Sequence, residues 1–150
     1  MATTYKSTQV TQGDVPRAVT PGVYNSYGHY TITGSLLVIN DVIQMVKVPI
    51  GARVLSIDLY TTDLDSGATP AVTLAIGDGS TTARFITAST VGQAGGYIRF
   101  PSDSATTAAG VGYQYTVNDT IDILVVAAPQ TTATTFSFKM NVLFSIDQPD

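Results

Sequence analysis

Residues 135–146 read Thr-Phe-Ser-Phe-Lys-Met-Asn-Val-Leu-Phe-Ser-Ile, and their spacing decides the fold. Phe136, Phe138, Met140, Val142, Phe144 and Ile146 fall on every second position; Thr135, Ser137, Lys139, Asn141 and Ser145 fall between them, with Leu143 the one apolar intruder. That is the period of a β-strand with one buried face. Burying such side chains is worth roughly 1.5–3 kcal/mol each before ordering entropy is subtracted. No other segment of the chain offers as much, and its length predicts a central strand running the full height of a domain.

Working outward, the residues around it have the composition of strands and turns. Threonine, valine, serine and glycine abound; glutamate is absent, so every acidic residue is aspartate, and good helix formers are few. An all-β protein follows. At 150 residues one domain with an adequate core is expected. With no cysteine, the chain has no disulfide, thiolate metal site or cysteine nucleophile. The net charge of −4 and the scattering of seven basic residues speak against a nucleic-acid partner, which would need clustered cations. No signal peptide or long apolar span is read, so no membrane partner is expected and the product is expected to be made soluble inside a cell.

Residues 1–28 are polar, broken by Gly13, Pro16, Pro21 and Gly22, and lack a sustained period. They are expected to form an extended N-terminal arm ahead of a body at 29–150. Tyr5, Val15, Pro16, Pro21, Tyr24, Tyr27 and Tyr30 are its candidate partner-binding residues, since tyrosine supplies apolar area and a hydroxyl at interfaces. His29 lacks any partner in the pattern and is read as an ordinary packed or surface side chain. In the body, strands are expected at 30–33, 36–40, 42–48, 53–61 (Leu55, Ile57 and Leu59 inward), 72–76, 83–88, 97–100, 113–117 and 121–127. Asp78-Gly79 reads as a hairpin turn, 90–96 as one helical turn at most, and 147–150 as a short tail. Strands at this spacing make a two-sheet sandwich or a barrel.

Chemistry is harder to find. The only candidate base is His29, and no Gly-x-Ser-x-Gly, Walker or dinucleotide pattern is present. Asp58, Asp63, Asp65 and Asp78 could converge at one end of a sheet as calcium ligands, but the loop lacks the alternating ligands and closing glutamate of known calcium loops. Aspartates in tight loops more often bond local backbone amides. No catalytic residue, cofactor or metal ligand is assigned. Tyr60, Tyr97, Tyr113 and Tyr115 could present rings to a sugar, which keeps open a carbohydrate- or receptor-binding module as the alternative function.

One stretch carries a resemblance. VPIGARVLSIDL at 48–59, TDLDSGATP at 62–70, VTLAIGD at 72–78, Arg84-Phe85-Ile86 and STVGQAGG at 89–96 are similar to a family of small tailed-phage virion proteins. These are head-associated decoration or cement proteins. The likeness implies a jelly-roll body, a purely structural role with no enzymatic activity, and the major capsid protein as partner. It also implies a homo-oligomer, a trimer in the first instance, on the outside of the capsid, the arm and sandwich surface bridging capsid subunits, in a protein made in the host cytoplasm.

Overall fold

A computed structural model describes residues 1–16 and 20–147. In chain order the elements are β1 (Thr4–Lys6), α1 (Thr8–Gln12), β2 (Gly22–Thr33), β3 (Val42–Val48), β4 (Ala52–Thr61), β5 (Thr73–Asp78), β6 (Ile86–Ser89), β7 (Gly96–Phe100), β8 (Asp119–Ala127) and β9 (Thr135–Ile146). Single 3₁₀ turns occupy Val91–Gln93 and Ala108–Gly110.

The strands form two sheets, ordered β1-β3-β8-β5-β6 and β2-β9-β4-β7. Setting β1 aside, the antiparallel pairs nest: β2 with β9, β3 with β8, β4 with β7, β5 with β6. A long hairpin folded at β5–β6 and rolled up gives this order, the roll closing through β4 on β9 and β5 on β8. It is a jelly-roll β-sandwich, the architecture expected.

Strand β9 lies where the reading of 135–146 puts it, between β2 and β4, with its six alternate apolar side chains buried. From the facing sheet, Ile43, Met45, Leu74, Ile76, Ile121, Ile123 and Val125 complete the same core. In β4 the alternation is interrupted by a bulge between Val54 and Ser56. The extra residue turns Val54 inward and leaves Leu55, expected inside, 39% exposed, while Ile57 and Leu59 return to the core.

The expected arm is different in the structure. Residues 22–28 are the first half of β2, paired residue for residue with β9. Inward positions here are Tyr24, Ser26, Gly28, Tyr30 and Ile32, and the small residues among them hide the two-residue period. Gly28 is small for a reason, since a Cβ there would overlap the carbonyl oxygen of Met45 on β3. Residues 4–13 lie back on the body. β1 pairs in parallel with β3, and Ser7 caps α1 through Val10 N–H while its hydroxyl donates to the Met45 carbonyl. Lys47 gives its N–H to Gln9 at 2.7 Å and its ammonium to the Gly13 carbonyl at 2.6 Å. Positions 17–19 of that segment, and 148–150 of the expected tail, lie outside the described residues.

Two other expected strands are loops. Residues 36–40 turn because Asp41 accepts the N–H groups of Thr3 and Val38 and Asn40 takes a left-handed backbone conformation. Residues 113–117 form no strand, only an isolated bridge between Arg53 and Gln114, with the Gly51 N–H donating to the Tyr115 carbonyl at 2.7 Å and the Tyr115 N–H to the Ala52 carbonyl at 2.8 Å. β5 and β6 are joined by residues 79–85 rather than by a two-residue turn at Asp78-Gly79, because Asp78 is held by other partners.

Gly28→Ala should cost about 1–3 kcal/mol of stability, the range for inserting a methyl into a filled contact. Urea unfolding measures it; an unchanged midpoint would contradict the close approach of β2 to β3.

Candidate functional site

Two sets of residues stand out once the fold is known: several buried carboxylates, each held separately, and an open sheet face.

The four aspartates considered as calcium ligands do not converge, and among the described residues no three His, Cys, Asp or Glu side chains gather as a metal site would require. Asp65 is buried, and its carboxylate accepts N–H groups from Gly67 (3.2 Å), Ala71 (2.7 Å), Val72 (3.2 Å), Gln130 (2.8 Å) and Thr131 (3.0 Å). Burial alone would raise its pKa; the backbone donors overcome this and hold it well below the usual carboxylate range. One side chain thereby ties the β4–β5 loop to the β8–β9 loop. Asp63 serves the same turn by accepting the Asp65 N–H at 2.8 Å.

Asp78 ends β5 with its side chain fully buried. It pairs with Arg84 and accepts the Thr81 N–H at 2.7 Å and the Tyr115 hydroxyl at 2.9 Å. Its pKa is lowered, since these bonds outweigh the upward push of burial. Arg84 in turn lies 3.6 Å from the centre of the Tyr113 ring. Tyr113 and Tyr115, two of the tyrosines considered for sugar binding, are thus committed to packing.

Asp122 is the exception among the buried carboxylates. It sits on β8 between its register partners Gln44 and Gly77, 6% exposed, and its Oδ1 has no hydrogen-bond partner. Burial, aided by the like charges of Asp119 and Asp78, pushes its pKa up to about 7.

The open face belongs to β2-β9-β4-β7. Register places Tyr27, Asn141, Asp58 and Arg99 in one row across the four strands, and His29, Lys139, Tyr60 and Tyr97 in the next. Tyr27, Tyr60 and Tyr97 are 51%, 44% and 53% exposed. Asp58 accepts from Tyr97 at 2.9 Å and from Arg99 at 2.6 Å. Burial would raise the Asp58 pKa, but these donors hold it below the usual range. Lys139 lies over the Tyr60 ring and Arg99 over the Tyr97 ring, each 5.7 Å from the centroid. Such an array can bind by ring contact and charge. His29 is exposed, with its Nε2 3.2 Å from the Thr31 hydroxyl.

The seven candidate partner-binding residues divide. Tyr5 packs on Tyr30 (centroids 6.1 Å apart) and Tyr24 stacks on Phe144 (6.0 Å), so these three serve the core. Pro16 is half-buried and Pro21 exposed. Val15 lines a shallow depression of about 330 Å³ with Gln44, Lys47, Asn118, Asp119 and Thr120. Tyr27 alone joins the open face. Sequence reasoning found Tyr60 and Tyr97 as exposed aromatics; grouping them with Tyr27, Lys139 and Arg99 needs the strand order.

Asp65→Asn should destabilise by about 2–4 kcal/mol at neutral pH, because one amide oxygen cannot satisfy five donors. The Asp65 contribution is fully present above the unfolded-state pKa of about 4 and is lost as the pH falls toward the lower folded value. Asp122 has the opposite sign. Its folded pKa is raised, so stability is greatest below pH about 4 and declines as the pH rises to about 7. Asp122→Asn should therefore raise stability by about 2–4 kcal/mol at pH about 8 and change it little near pH about 4. Denaturant unfolding at the two pH values checks both; a gain from Asp122→Asn that is equal at both would contradict the assignment.

No protein-family model matches the chain, and no curated protein does. Among solved structures it is similar to a chain in the capsid asymmetric unit of cyanophage Pam1, with 28% identity, a TM-score of 0.68, and coverage of 89% of this chain and 91% of that one. The fold is shared with a chain in the capsid of Ralstonia phage GP4, at 23% identity and a TM-score of 0.76, covering 97% and 99%. It is shared more distantly with one in the acid-stable capsid of Helicobacter pylori bacteriophage KHP30, at 16% identity and 0.51, covering 86% and 95%. The jelly roll described above is thus, over most of its length, a fold found in phage capsid structures.

Proposed function

We propose that this chain is a structural component of a phage head, and that it acts as a decoration or cement protein: it sits on the outside of the assembled capsid and bridges major capsid subunits. The observation that carries the reading is the likeness to the Pam1 capsid chain, which spans nearly the whole of both chains. A protein of this kind works through area buried across joints of a lattice. Binding the assembled shell and not free subunits stabilises the shell by mass action, and many copies on one particle add avidity. No active site is needed for that. The bridging surfaces are the sandwich faces together with the N-terminal segment, which here lies along the β3 edge. Homo-oligomerisation, with a trimer as the first case, would multiply the contacts each unit makes.

One observation favours the alternative of carbohydrate binding: Tyr60 and Tyr97 are direct cross-strand neighbours on an open face. Glycan-array binding that Tyr97→Ser abolishes would support it.

Quantitative mass spectrometry of purified particles tests the main reading. Copy numbers in the hundreds per particle are expected; a handful would mean a tail component, and none would remove the chain from the virion.

A further inference from the structure

Strand β2 is the outermost strand of its sheet and pairs only with β9. In an antiparallel ladder, residue pairs that exchange hydrogen bonds alternate with pairs whose N–H and C=O groups point to the other side. Gly34 N–H donates to the Thr134 carbonyl at 2.9 Å in the register of the β2–β9 pairs, so the even residues of β2 bond β9. The odd residues, Val23, Asn25, Tyr27, His29, Thr31 and Thr33, turn their backbone groups away from it. All six are exposed, and none of those groups has a backbone partner among the described residues.

Edge strands are ordinarily kept short, bulged, charged or interrupted by proline, which stops other chains from pairing with them. β2 has none of these devices. It runs for twelve residues without proline, lysine, arginine, aspartate or glutamate, and its register is unbroken. The other sheet edges are brief or partly closed. β1 has three residues. β6 is bridged at Ile86 by Thr106, with the Thr87 N–H donating to Ala105 at 3.1 Å. On β7 the Arg99 carbonyl accepts the N–H groups of Ser102 and Asp103 at 2.9 and 2.8 Å.

The surroundings of the β2 edge differ along its length. Gly28 packs on Met45 of β3, while Ser7 and Gln9 bond α1 to Met45 and Lys47, so the helix lies beside the first half of β2. Next to β3 in the facing sheet comes β1, whose half-buried Tyr5 reaches Tyr30. The facing sheet therefore continues one strand further than β2 does, beside residues 27–33.

We propose that residues 27–33 are a strand-addition site, where an extended segment of a capsid shell protein pairs with the free edge of β2 and lies over Tyr5 and Tyr30. The backbone groups select this occupant: an unpaired row of donors and acceptors repeating about every 6.8 Å is complementary to another extended polypeptide. Side chains refine the choice. Inward positions of the incoming segment meet the Tyr5 and Tyr30 rings, which suits apolar residues at every second position. The inference rests on the proposed attachment to a capsid and names the contact that makes it.

The test is amide hydrogen exchange in the full chain, free and bound to purified heads that lack it, read by NMR after release. In the free chain the N–H groups of Gly28, Tyr30 and Ile32 should exchange slowly and those of Tyr27, His29 and Thr31 fast. On heads, exchange of the latter three should slow at least about tenfold. Thr31→Pro removes a free N–H and no bond to β9, so it should fold, as an unchanged thermal midpoint would confirm, yet bind heads at least about tenfold more weakly. Exchange in the wild type decides the matter even where that variant does not fold. Odd-numbered amides that stay open on heads, or that are already protected in the free chain, would overturn the proposal. So would a folded Thr31→Pro variant that binds like the wild type, and either result leaves the capsid role standing. A wild-type chain that fails to bind heads removes that role and this contact together.

Discussion

Everything in this molecule depends on the inward row of β9. Phe136, Phe138, Met140, Val142, Phe144 and Ile146 fill the space between the sheets while their backbone pairs with β2 on one side and β4 on the other. Because successive side chains alternate, fixing that row inward fixes Lys139 and Asn141 outward, and the pairing then sets which residues of β2 and β4 lie beside them. The surface array of tyrosines and cations is therefore a consequence of core packing. A slip of one residue in register would bury Lys139 and expose a phenylalanine row.

The loops at the sandwich ends are organised by a different device. Short aspartate side chains, placed where several backbone N–H groups converge, do what regular hydrogen bonding does within the strands. Asp65 joins two loops, Asp41 holds the β2–β3 turn and the N-terminal residues, and Asp78 anchors both the β5–β6 connection and Tyr115. Glutamate, with one more methylene, would set its carboxylate further from its own backbone and lose rotamer entropy in doing so. That fits the chain's exclusive use of aspartate. Asp122 lacks such donors, so its pKa is pushed in the opposite direction from those of Asp65 and Asp78.

Most of the body was legible because its strands carry period-two apolar patterns, and β9, β5, β7 and β8 lie close to where those patterns put them. β2 was not, since Ser26 and Gly28 occupy inward positions and break the apolar alternation; at Gly28 the cause is the Met45 carbonyl, on another strand. Residues 36–40 and 113–117 have strand-like composition, but the first is turned by the adjacent Asp41 and the second is held by Arg84 and Asp78, partners distant in sequence. The candidate surface was half legible. Tyr27, Tyr60 and Tyr97 were picked out separately, but their assembly into one face is a property of strand order, which spacing alone does not encode.

A jelly roll with an open aromatic face and with its first described residues bonded to β3 is suited to work by contact. Cryo-electron microscopy of particles that carry this chain tests that account most directly. The account predicts jelly-roll density on the outer surface of the shell, with the β2-β9-β4-β7 face covered by a neighbouring protein. Density confined to the tail, or a shell-bound body whose four-stranded face points into solvent, would contradict it.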